Sequence, residues 1–286
     1  MNREYFDPRP TEYPFPKDTC AHYLVVKKDN GAVFDKDYPY VDRSRRMRFK
    51  QAVMRFLLYF LAFPVASVRM GLRVKGRKNL KIHKKELQNG FVSCCNHVHL
   101  WDFICVMCAL RPVKPYLLAW AKNVRGENGA LMRMVRAIPI PENDPHALSA
   151  MNSALAGIFA DRQALHIYAE GSMWEYYRPV RPFKTGMAYI ACKNGVPVLP
   201  MAFSYRRPGF LRRKIFRQKA LFTLTLGEPQ FADTALGREE MRVELTRRCH
   251  GEVCRLAGFA EGENIYSPVY DGSRRIDYYP IDIAEK

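Results

Sequence analysis

From about residue 71 onward the chain alternates short apolar runs with stretches that carry helix signals. The runs are FVSCC (91–95), YLLAWA (116–121), AIPI (137–140), ALHIYA (164–169), VPVLPMAF (196–203) and ALFTLTL (220–226). Their apolar residues are consecutive rather than alternate, the pattern of strands covered on both faces. Between them, Asp144-Pro145 supplies an N-cap and a first-turn proline for a helix running to about Arg162. A second helix is expected over Thr185 to Asn194, ended by Gly195, and a third after Gly237. Such alternation restricts the fold to the α/β class: a mixed, mostly covered β-sheet flanked by helices. No internal repeat or low-complexity tract interrupts it, so 71–286 reads as one domain.

The segment ahead of this domain has a different character. Residues 1–40 are rich in Pro, Tyr and Asp without a sustained period, an irregular arm with a short strand expected at AHYLVV. Next, RSRRMRFK (43–50) leads into AVMRFLLYFLAFPVASV (52–68), an apolar run of 17 residues that contains Arg55 and Pro64. A membrane span needs about 20 residues. One reading is a buried helix; the other is a helix or helical hairpin lying in one leaflet, its arginines on lipid phosphates. The basic block and the aromatics Phe56, Tyr59, Phe60 and Phe63 favour the second, so 41–70 is read as membrane-associating. The net charge of +18 suits a polyanionic partner, whether nucleic acid, an anionic lipid surface or a phosphate-rich small molecule. With 48% hydrophobic residues, intrinsic disorder is excluded.

Eight cysteines in 286 residues do not make a disulfide scaffold, and MNREYFDPRP has no apolar h-region, so a reducing cytosol is expected. Cys105-Val-Met-Cys108 lacks a second pair, and Cys249 and Cys254 fall in or beside a helical stripe with Met241, Leu245, Val253 and Leu256. These read as small core residues, and no metal site is expected.

In open α/β sheets functional groups collect on loops past the carboxyl ends of strands. Two such places are unusually polar here: Asn96-His97-Val-His99-Leu-Trp-Asp102 after FVSCC, and Glu170-Gly171-Ser172 after ALHIYA. Turns and caps use the same residue types. A histidine, however, serves as a general base when a carboxylate fixes its tautomer and stabilises the imidazolium. If a helix starts near Asp102, its carboxylate can fold back on His97, and the helix N-terminus keeps it ionised. His99 is expected to point elsewhere.

His97-Val-His-Leu-Trp-Asp102 resembles the H-x4-D signature of the glycerolipid acyltransferases, the group of 1-acyl-glycerol-3-phosphate acyltransferases. YLLAWAKN (116–123) through IPIP (138–141) resembles the second block of that family, Glu170-Gly171-Ser172 the third and VPVLPMAF (196–203) the fourth. FKTG (183–186) and the strand ending LGEP (226–229) resemble its downstream elements. The resemblance covers about residues 70 to 230. It implies acyl transfer from a thioester, acyl-CoA or acyl-carrier protein as co-substrate with no cofactor, to the hydroxyl of a lysophospholipid at the cytoplasmic face of the cell membrane. His97 would take the hydroxyl proton, Asp102 would orient it, and no acyl-enzyme is needed. Glu170, Gly171 and Ser172 would lie at the acceptor, with Asn96, Lys122 and Lys184 in support. Backbone N–H groups near Gly171 are candidates for the oxyanion, and Val196, Pro197 and Pro200 would line the acyl pocket.

Two positions depart from the pattern. Met173 stands where the third block usually has arginine, and Ile138-Pro139-Ile140-Pro141-Glu142 replaces a stretch that often ends in one. A guanidinium fork suits a phosphate. Lys122, Arg178, Arg181 and Lys184 are the available substitutes, each otherwise read as a solvated surface charge. A different lysolipid or lipid alcohol therefore stays open beside 1-acyl-glycerol-3-phosphate. Two readings of other classes are a nucleic-acid-binding protein using SYRRPGFLRRKIFRQK (204–219) and an inactive membrane scaffold.

Overall fold

A computed structural model describes residues 5–8, 22 and 29–266. The expected strand at AHYLVV, apart from His22, and the last twenty residues (267–286) lie outside the described residues. Among the described residues, seven strands form one sheet in the order β1-β7-β6-β2-β5-β3-β4. They are β1 Arg73–Lys75, β2 Phe91–Cys95, β3 Tyr116–Trp120, β4 Ala137–Ile140, β5 Ala164–Tyr168, β6 Val198–Arg206 and β7 Leu221–Leu226. Every expected run is a strand; β1, three residues long and polar at both ends, carries too little pattern to be read from sequence. Strands β6, β2, β5, β3 and β4 run parallel, and β7 pairs antiparallel with β6 through the hairpin of residues 207–220. The sheet is therefore mixed.

Its two faces are covered by different helices. Pro145–Ala160, Gly186–Asn194 and Arg238–Ala257 cover one, burying Leu155, Met187, Leu245 and Val253 against Val92, Leu165 and Ala202. Their ends follow the expected chemistry. The Asp144 side chain accepts from the His146 and Ala147 N–H groups, and Gly195 and Gly258 take the left-handed conformation that ends a helix. The helix Asp102–Ala109 and a long N-terminal helix cover the other face, meeting Phe91, Cys95, Leu199 and Phe203.

The N-terminal helix runs from Arg45 to Arg69, 25 residues, and is long and apolar enough by composition to cross a membrane. It starts seven residues before the apolar run because the Ser44 hydroxyl caps the Met47 N–H. Its middle turn, Leu58–Ala62, is a π-turn just ahead of Pro64, which lacks the N–H an α-helix would use there. It is one helix rather than a hairpin. Met54, Leu58, Phe63 and Ala66 are buried on the domain, whereas Phe49, Phe56, Phe60, Leu61 and Val68 are more than half exposed. The helix lies along the domain with an apolar face turned outward.

Candidate active site

Strands β2 and β5 are parallel neighbours with Cys95 opposite Tyr168, so their two polar loops leave the same sheet edge side by side. Backbone bonds zip the loops together: Trp174 N–H donates to the His97 carbonyl at 3.1 Å, and Tyr176 N–H to that of Val98 at 2.8 Å. One step back, inside the sheet, Ser93 faces His166, with the hydroxyl 2.9 Å from Nδ1. Burial pushes the His166 imidazole down to about 3, so this ring is neutral.

Asp102 opens its helix and is completely buried. Its Oδ2 accepts the His97 Nδ1–H at 2.7 Å and the backbone N–H groups of Val98 and His99 at 3.1 and 3.3 Å. Its Oδ1 accepts the Tyr168 hydroxyl at 2.6 Å. Burial alone would raise this carboxyl. The His97 charge and hydrogen bond, with the Tyr168 and Val98 donors, outweigh it and hold the group below its ordinary value. With Nδ1–H given to the carboxylate, Nε2 of His97 keeps its lone pair. Tyr168 also stacks on the imidazole, centroids 3.8 Å apart and planes 13° from parallel. Held on one edge and one face, the ring retains 21% of its exposure. His99 turns away as expected, toward Glu175 at 3.4 Å.

Glu170 occupies a different place from the one the resemblance implied. It is 2% exposed and off the cleft wall, accepting Arg181 N–H at 2.8 Å and Arg181 Nη2 at 2.7 Å. It also accepts the His97 backbone N–H at 3.0 Å, so it pins the histidine loop. Burial pushes its carboxyl up, opposed by the Arg181 guanidinium and these N–H groups. Arg181 is not a solvated surface charge: it is 1% exposed, stacks over Trp174 and donates to the Ser172 hydroxyl at 2.6 Å. Asn96 joins β2 to β6, donating to the Phe203 carbonyl at 3.1 Å and accepting its N–H at 2.8 Å. Gly171 N–H is spent on the Tyr168 carbonyl, which removes it as an oxyanion donor. Its φ is +79°, a left-handed conformation that favours glycine, and a Cβ there would come within 2.7 Å of Lys184 Cε and displace the lysine.

His97, Asp102 and Tyr168 open into a cleft of about 860 Å³. Gly171, Ser172, Met173, Lys122 and Lys184 line it too, and Leu118, Met132, Met151 and Met187 make its walls mainly apolar. Val196, Pro197 and Pro200 do not. All three are buried, Val196 in the core and Pro200 on the β6 backbone opposite Cys94, because β6 lies on the far side of β2 from the cleft. His22 was not anticipated: it stacks on Trp120 at 4.0 Å, and burial and then the charges of Lys184 and Lys122 push its imidazole down. Tyr168 also escaped the sequence reading, and Arg181 was read there as a substitute phosphate ligand or a surface charge, because their roles depend on strand register and a returning loop.

A histidine–carboxylate pair at strand ends, over a mainly apolar cleft on a mixed α/β sheet, is an arrangement in which a general base can face a bound substrate. Residues 71–204 match the acyltransferase family model. Among solved structures it is similar to the crystal structure of the 1-acyl-sn-glycerophosphate (LPA) acyltransferase PlsC from Thermotoga maritima. Identity is 18%, coverage 77% of this chain and 86% of that one, and the TM-score 0.51, a likeness of fold. No curated protein sequence matches the chain.

Proposed function

We propose that the chain moves a fatty acyl group from acyl-CoA or acyl-carrier protein to the hydroxyl of a lysophospholipid, with 1-acyl-glycerol-3-phosphate as acceptor and phosphatidic acid as product. The observation that carries this is the 2.7 Å His97–Asp102 pair at the wall of the cleft. Nε2 of His97 takes the acceptor proton as the oxygen attacks the thioester carbonyl. Asp102 stabilises the imidazolium that forms. The tetrahedral intermediate collapses, the C–S bond breaks, and the imidazolium proton passes to the departing thiolate. The N–H groups of Ser172 and Met173, whose residues border the cleft, are the remaining oxyanion candidates.

The cleft volume lies within the range of ligand pockets, about 300–1,000 Å³. Its polar end carries Lys122 and Lys184 in place of the family's arginines, and its methionines suit an acyl chain. Two surfaces support a membrane location. One is the outward face of the N-terminal helix. The other is the 207–220 hairpin, where exposed Phe210, Leu211, Ile215 and Phe216 interleave with Arg212, Arg213 and Lys214. The hairpin is tied to that helix by Arg212 donating to the Val68 carbonyl at 3.0 Å. Apolar side chains among the cations favour lipid over nucleic acid for this stretch.

The test is one labelled acyl-CoA offered with a panel of lysolipids in vesicles. Label is expected in a diacyl lipid, most rapidly from 1-acyl-glycerol-3-phosphate. Transfer confined to a neutral lipid alcohol would refute the phosphate-bearing acceptor, and hydrolysis without transfer would refute the acyltransferase reading.

A further inference from the structure

A second cleft, of about 550 Å³, opens at the opposite edge of the sheet, between the N-terminal helix and the domain. Tyr116 and Arg136, at the starts of β3 and β4, line it, while Trp120 and Ile140, at the ends of those strands, line the cleft of His97. At about 3.3 Å per residue the two sites are separated by roughly 13 Å of strand.

Its charge is one-sided. Arg48, Arg55, Arg111, Lys114 and Arg136 line it, and none has a carboxylate partner among the described residues. Its two carboxylates are already engaged, Asp161 with Arg43 at 2.7 Å and Asp42 with Arg133 at 3.6 Å. Two of the guanidiniums are held in place without being neutralised. Arg136 stacks 3.6 Å from the Tyr116 ring centroid and donates to the Lys114 carbonyl and, at 3.2 Å, to Gln163 Oε1. Arg111 lies over Tyr59 and Phe63 and donates to the Cys108 carbonyl at 3.1 Å.

Arg136 carries further marks of a built site. Its Nε is buried with no hydrogen-bond partner, and its φ is +69°, a left-handed backbone that side-chain-bearing residues rarely adopt. Burial, then Arg55 and Arg136, pull the Lys114 ammonium below its ordinary value, as expected of like charges gathered without a counter-ion. Leu58, Tyr59, Phe63 and Met107 add an apolar lining beside the cations. The same helix turns Phe56 and Phe60 to solvent.

We infer that this cleft is a second lipid site, which takes the phosphate of an anionic glycerophospholipid on Arg55, Lys114 and Arg136 and the start of its acyl chains along Tyr59 and Phe63. The oxygens of a phosphate satisfy several guanidinium and ammonium donors at once. An apolar lining leading to an outward apolar helix face selects a lipid over a free anion. The inference does not depend on acyl transfer.

The test uses the full chain and dihexanoyl-phosphatidylglycerol below its micelle concentration, read by calorimetry and thermal unfolding. The lipid is expected to bind and raise Tm by a few degrees. In Arg55→Gln/Lys114→Gln its affinity should fall about tenfold or more, while Tm without lipid stays level or rises, since repulsion is relieved. Two comparisons fix the source: dihexanoyl-phosphatidylcholine should bind more weakly, and glycerophosphoglycerol, the same headgroup without chains, weaker still. Equal binding of the chain-free headgroup would assign the site to a soluble phosphate and overturn the lipid inference. Undiminished phosphatidylglycerol binding by the double variant would place the lipid elsewhere and overturn it equally.

Discussion

Asp102 shows how much one side chain can determine. Its four hydrogen bonds come from His97, Tyr168 and two backbone N–H groups, and all require a carboxylate that accepts on both oxygens. In Asp102→Asn the amide nitrogen cannot accept from Nδ1, so the imidazole adopts the other tautomer and Nε2 loses its lone pair. The variant should lose about 10²–10⁴ in kcat with KM little changed, measured as thiol release at saturating acceptor. A KM effect without a kcat effect would make Asp102 a binding residue. At this scale the spacing of His97 and Asp102 was legible, because helix start and partner lie five residues apart. The roles of Tyr168 and Arg181 were not: the first meets Asp102 only through the β2–β5 register, and the second returns to Glu170 from eleven positions along the chain.

Among the elements, the strands were the most readable, since continuous apolar runs bounded by Gly, Pro and Asp leave few alternatives. Val196, Pro197 and Pro200 were expected along a pocket and do not line the cleft, for a related reason: a buried strand next to the site looks the same in sequence whether it faces the cleft or the core. The polar insert within the central sheet leads to a pH expectation. His166, in the sheet, is held down to about 3 by burial, and His250, buried on the helix Arg238–Ala257 that covers it, to about 4, against an ordinary 6.5. Both folded-state values are depressed, so the fold favours the neutral rings. Their contribution is complete above 6.5 and is lost progressively as pH falls and the unfolded chain takes up protons. The urea midpoint should therefore be lower at pH 5 than at pH 7.5, with a smaller drop in His166→Gln. A midpoint unchanged between the two pH values would mean that these rings do not link protons to folding.

For the whole molecule, the +18 charge and the apolar run were plain in the sequence, whereas the way the helix lies on the domain was not. Which stripe a helix buries is decided by its partner, here Cys105, Val106 and the strands beneath. Phe56 and Phe60 are 60% and 72% exposed and touch little of the fold. Replacing both by Asp should release the protein from anionic vesicles in a sedimentation assay and leave Tm nearly unchanged. Retained binding would shift membrane contact to the 207–220 hairpin or to the basic surface. High salt should weaken the wild-type association partly but not abolish it, because apolar insertion is not screened as charge is.

The most direct test of the account is single-turnover acyl transfer by His97→Ala. With acyl-CoA and lysolipid saturating, thiol release coupled to diacyl-lipid formation should fall by at least about 10²-fold, while the circular dichroism spectrum and Tm remain those of the parent. A variant that forms diacyl lipid at the parental rate would show that no proton leaves the acceptor through this imidazole.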